Sequence, residues 1–170
     1  MEKELITKKS FCLELKTLMW HKKYLPIYDE KLTSEEIKHT NCYAYAFQTY
    51  FSVENCELFG TLGFSIGNEC RVFGTSNAIE YFKLDVESMG YKIQESDAIE
   101  PKTGFKVAMF YIVGGDFHFM RLNKGNVWSE KLGYNGDVRK VTDSRGIPIL
   151  PEKVKFEEYG IKFLGYFWIR

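Results

Sequence analysis

Two adjacent glycines, Gly114 and Gly115, separate an apolar run at 105–113 from a second strand-like run at 116–122. That arrangement constrains the fold more than any other part of the chain. Consecutive glycines supply the positive φ angles that a tight hairpin turn needs, so the flanking runs are expected to pair antiparallel. Asn123-Lys124-Gly125-Asn126 reads as a second turn, 127–132 as a third strand, and Lys162 to Ile169 as a last one, after a loop punctuated by Gly133, Gly136 and Gly146. Upstream the period changes. Thr33-Ser34-Glu35-Glu36 has the form of a capping box, which starts a helical segment near Ser34. Asn77 with Glu80 caps a second helix with an apolar stripe of Ile79, Phe82, Val86 and Met89, ended by Gly90. Residues 4–20 suit a helix loosely, although Phe11, Leu13 and Leu15 also alternate like a strand, and the glycine-rich 55–74 stretch reads as loops. Helices followed by antiparallel strands imply an α+β fold, with N-terminal helices packed on a C-terminal sheet. One domain is expected over 1–170, with 1–33 as an N-terminal extension and 34–170 as the core.

Charge narrows the function classes. Lys and Arg together number 23, as do Asp and Glu, so no global basic field argues for nucleic acid or an anionic membrane as partner. Aromatic residues make up 16% of the chain, which reads as a dense aromatic core. The first residues, Met-Glu-Lys-Glu-Leu-Ile-Thr-Lys-Lys-Ser, lack the apolar stretch of an export signal, so the chain is expected to be cytoplasmic as synthesised. Val107 to Val113 is too short to span a bilayer. Cys12, Cys42, Cys56 and Cys70 form no C-x-x-C pair. Reduced thiols are therefore expected, with no metal and no cofactor.

The chemistry centres on Asn41-Cys42-Tyr43-Ala44. Asn41 is a good N-cap, which would put Cys42 in the first turn of a helix burying Tyr43, Phe47, Tyr50 and Phe51 on one face. A cysteine attacks carbonyls as its thiolate, which helix N-terminal amides and a neighbouring imidazole both favour. His118, in Asp116-Phe117-His118-Phe119, is the candidate base. First-turn amides around Asn41 and Tyr43 are candidate oxyanion donors. Read singly, Cys42 is equally a small buried hydrophobe and His118 a strand histidine bonded to backbone. His39 is a rival base without a strand to aim it, and His21 lies in a Lys-rich stretch. The group that orients the imidazole is either Glu130, across a hairpin from His118, or Asp143, in a loop able to return to the site; Asp116 shares the His118 face but suits the rim. Tyr43, Phe117 and Trp128 are candidates to shape a substrate groove.

Four strings carry a resemblance: Asn41-Cys42-Tyr43-Ala44-Tyr45-Ala46, Asp116-Phe117-His118-Phe119-Met120-Arg121, Trp128-Ser129-Glu130-Lys131-Leu132-Gly133 and Asp143-Ser144-Arg145-Gly146. With the closing Phe163-Leu164-Gly165-Tyr166-Phe167, they resemble a group of bacterial and phage-associated proteins described as papain-like or NlpC/P60-like cysteine peptidases, some named for an insoluble matrix shell protein. The resemblance runs from Asn41 to the C-terminus and leaves the middle third unmatched. It implies a papain-like core, Cys42 as nucleophile, His118 as base and a peptide or protein substrate; the NlpC/P60 likeness suggests peptidoglycan stem peptides, reached by lysis or a dedicated delivery system. Glu130 departs from the pattern, where relatives carry histidine, and either it or Asp143 takes the third role. Cysteine peptidase or amidase is thus the leading expectation. Transglutaminase- or deamidase-type acyl transfer uses the same triad geometry, and a non-enzymatic phage or host-interaction domain would keep the fold without the reaction.

Overall fold

A computed structural model describes residues 40–47, 62, 75–114, 116–133, 136–156 and 160–170. The 1–33 extension, the Thr33 capping box, His21, His39, Cys12, Cys56, Cys70, Tyr50 and Phe51 lie outside the described residues. The described chain is α+β. Helices α1 (Cys42–Ala46) and α2 (Thr75–Ser88) precede six strands: β1 (Ile93–Ser96), β2 (Phe105–Ile112), β3 (Asp116–Asn123), β4 (Val127–Lys131), β5 (Val138–Lys140) and β6 (Ile161–Ile169). They form one antiparallel sheet in the order β1-β6-β2-β3-β4-β5. β2 and β3 pair antiparallel, as the glycines between them predict. Ile112 pairs with Asp116, so Val113 leaves the strand and joins the loop. α2 begins two residues before Asn77, which lies inside the helix and does not cap it.

Register divides the sheet into two buried faces. Met109↔Phe119 and Val107↔Arg121 put Phe119, Arg121, Met109 and Val107 on one. Phe110↔His118 and Met120↔Glu130 put His118, Glu130, Phe110 and Met120 on the other. β6 joins the second face through a β-bulge. Its pairing shifts between Met109↔Gly165 and Phe110↔Phe163, leaving Leu164 as the extra residue. Gly165 takes φ 148°, a value that glycine adopts without strain. The bulge brings Phe163 and Tyr166 to the same face, with ring centroids 4.9 Å apart. Phe163 then backs Phe110 at 5.3 Å, and Phe110 backs the His118 ring at 6.2 Å. Phe156, from the chain beyond β5, returns to this face and packs on both Phe110 and His118.

The helices cover the first face. Tyr43 and Phe47 of the α1 segment meet Phe119, Phe105 and the α2 residue Phe82, and Phe82 also meets Phe119 and Phe167. Phe82 is therefore the shared contact between both helices and the sheet, and it is fully buried. Of the expected stripe, Phe82 and Val86 are buried in α2 and Met89 just past its last residue, while Ile79 is half-buried; Ala78 and Asp85 are buried as well. Substituting Phe82→Ala should cost about 3–5 kcal/mol, as is usual for an aromatic removed from a packed core. Urea unfolding measures this, and a loss under about 1 kcal/mol would contradict the shared-contact role.

Candidate active site

Asn41 performs the capping role its sequence suggests. Its backbone is extended at φ −90°, and its side-chain oxygen accepts the Ala44 amide at 2.9 Å. Cys42 is thereby the first residue of α1 and is half-buried. The helix is fixed to the sheet by polar groups that periodicity alone did not single out. Arg121 donates to the Tyr45 carbonyl at 3.1 Å and stacks over the Tyr45 ring at 3.9 Å. The Tyr45 hydroxyl bonds Ser129 Oγ at 2.8 Å, and Asn123 donates to the same Oγ at 2.7 Å. Their signal was present in the strings: Tyr45 lies one turn beyond Cys42, and Arg121 is a lone charge between Met120 and Leu122. Tyr43 is committed to the core. Its hydroxyl donates to Asp85 Oδ2 at 2.7 Å, and burial, reinforced by that carboxylate, raises its pKa well above the usual phenol value.

So anchored, Cys42 sits at the end of β3 that β4 does not reach. β3 starts at Asp116, yet its pairing with β4 covers only Met120 to Asn123. Cys42 Sγ donates to the Phe117 carbonyl oxygen at 3.7 Å, and the cysteine acts electrostatically on the adjacent His118 imidazole. His118 is 7% exposed, and its Nε2 lies 2.6 Å from Glu130 Oε2. An ionised carboxylate only accepts, so Nε2 carries the hydrogen and Nδ1 is left for the thiol. Burial lowers the imidazole pKa. Interaction with Cys42, the bond to Glu130 and the charges of both outweigh it and raise the value from 6.5 to about 10. For Glu130, desolvation acts upward, but the His118 bond and charge, with Arg139, hold the carboxylate below its ordinary 4.5.

The structure brings Cys42, His118 and Glu130 together and leaves the other candidates apart. Asp143 does not orient the imidazole: its Oδ1 accepts the Arg145 and Ile147 amides at 2.9 and 3.0 Å, and its Oδ2 pairs with the Arg145 side chain. These bonds build its own turn. Trp128 is not a groove wall, because it is buried on the His118 face against Tyr166, with ring centroids 5.2 Å apart. Asp116 is exposed and accepts the Phe117 amide. Among the described residues no cluster of three or more His, Cys, Asp or Glu is arranged to hold a metal ion, and no helix is long and apolar enough to cross a membrane. Compared with known proteins, the chain matches no family model, no curated protein and no solved structure.

The His118–Glu130 pair makes stability depend on pH in both directions. His118 has a raised folded pKa, so its contribution is complete below 6.5 and lost as pH rises through about 10. Glu130 has a lowered one, so its contribution is complete above 4.5 and lost as pH falls through its folded value. The stability gap between the wild type and Glu130→Gln should therefore be widest from 4.5 to 6.5 and narrow on both sides. Urea titrations across that range decide it, and a gap independent of pH would refute the ion pair.

Proposed function

We propose that this chain is a cysteine hydrolase of papain-like or NlpC/P60-like type, cutting an amide bond in a peptide or protein through an acyl-enzyme. One observation carries the reading: a half-buried cysteine, bonded to the Phe117 carbonyl, stands beside a buried imidazole held by a buried carboxylate. A merely structural cysteine needs no such relay. The likeness in ordered motifs supports the same class, and its NlpC/P60 side points to peptidoglycan stem peptides as a substrate to try first.

In this mechanism His118 holds the proton on Nδ1 beside the Cys42 thiolate, which attacks the substrate carbonyl carbon to form the C–S bond. The backbone N–H of Cys42, the first residue of α1, is the candidate oxyanion donor, since the Ala44 amide is taken by Asn41 Oδ1. The Nδ1 proton passes to the leaving nitrogen as the C–N bond breaks. Nδ1 then takes a proton from water, whose oxygen attacks the thioester. The C–S bond breaks, and the product acid leaves. Throughout, Glu130 accepts the Nε2 hydrogen, keeps the ring in one tautomer and balances the imidazolium.

Iodoacetamide alkylation followed by peptide mass tests the pair. Cys42 should react on the order of a hundredfold faster than Cys12, Cys56 and Cys70 at slightly acid pH, and His118→Ala should remove that advantage. An ordinary rate in both proteins would sink the hydrolase reading. On a cleaved substrate, Cys42→Ala should abolish turnover. The alkaline limb should fall near pH 10, where His118 loses the proton it must donate. Product analysis with an added amine then separates hydrolysis from acyl transfer.

A further inference from the structure

We propose that Arg139 is a positioning residue for His118, acting through Glu130: it holds one carboxylate oxygen so that the other is presented to the imidazole. Glu130 and Arg139 are direct cross-strand partners in the β4–β5 register. Both Nε and Nη2 of Arg139 approach Glu130 Oε1 at 2.8 Å, while Oε2 faces His118 Nε2. The two oxygens thus have separate duties.

The asymmetry of exposure shows which partner gains. The Glu130 side chain is 3% exposed and that of Arg139 56%. The guanidinium keeps much of its hydration, while the carboxylate receives a cation it cannot draw from water. Among the described residues the charged groups acting on Glu130 are His118 and Arg139. With Arg139 removed, Oε1 would be buried without a partner. The carboxyl group could then take a proton, or turn to offer its other oxygen. Either change loosens the Nε2 bond and, with it, the aim of Nδ1 at Cys42. An isolated exposed ion pair has no such consequence, because neither of its members orients a third group.

Only the kinetic consequence rests on the reading of Cys42 and His118 as a catalytic pair; the carboxylate's dependence on Arg139 does not. The full chain labelled with 15N-histidine separates the two. The His118 ring signals report the protonation of Glu130 as pH falls. In Arg139→Gln that acid step should move up by about one pH unit, and Arg139→Lys, which keeps the charge, should restore most of it. Arg139→Met, which keeps the aliphatic stem, should behave as the glutamine variant does. Cys42 alkylation should slow by about tenfold in the glutamine and methionine variants. An acid step unmoved in both variants would overturn the proposal, as would one displaced equally in Arg139→Lys. Should Cys42 prove unreactive in the wild type while the acid step still follows Arg139, the catalytic reading fails and the positioning role stands.

Discussion

Everything at this site depends on an uneven strand edge. β3 outruns β4 at the Asp116 end, so among the described residues no strand pairs with the backbone around Phe117 on that side. An uncovered edge of this kind must be capped by something. Here the cap is the first residue of a short helix, with Cys42 Sγ beside the Phe117 carbonyl oxygen. The side chain of the next residue, His118, points to the opposite face of the sheet from the helix. The thiol reaches the imidazole only because it sits at the edge, where the two faces meet. Had β4 continued three residues further, sheet would separate the two groups.

That geometry explains why so much of the structure is devoted to holding five helical residues in place. A helix this short gains little from its own hydrogen bonds. It is fixed instead from outside: by the Asn41 cap, by Tyr43 bonded to Asp85 on α2, and by Tyr45 locked between Arg121 and Ser129. Burying polar groups at such density is favourable only if each is satisfied, and the bonds among Arg121, Asn123, Ser129 and Tyr45 form a connected set. On the far face the aromatic succession from Tyr166 through Phe163 and Phe110 to His118, with Phe156 alongside, keeps the imidazole dry. Dryness strengthens the Glu130 bond and makes the carboxylate's charge count.

How far the sequence disclosed this varies with burial. The interior strands β2, β3, β4 and β6 were legible within a residue or two, because β2 reads as one long apolar run and turn residues mark off those beside it. The edge strands were not. β1 is Ile-Gln-Glu-Ser and β5 is Val-Arg-Lys, short polar segments that edges favour and that resemble loops. The start of α2 was misplaced because Asn77 looks like a cap, whereas the helix begins at Thr75. At the site, Cys42, Asn41 and His118 were visible as local signals. The choice between Glu130 and Asp143 was not, since it depends on a cross-strand diagonal in one case and a self-contained turn in the other. Trp128 looked like a substrate contact because residue type says nothing about which way a strand residue faces until register is known.

A carboxylate as the group that orients the imidazole has a physical consequence of its own. A neutral third residue can be buried with a single hydrogen-bond partner at modest cost. A carboxylate cannot, and with one cation on each oxygen Glu130 is held ionised in a site that would otherwise neutralise it. Glutamate at this position and arginine directly opposite on β5 are therefore a single structural choice. The short edge strand, which contributes little to the core, earns its place by setting that arginine in register. The relay from half-exposed guanidinium to half-buried thiol crosses three strands and one helix: two bonds, Arg139 to Glu130 and Glu130 to His118, set the imidazole that faces Cys42.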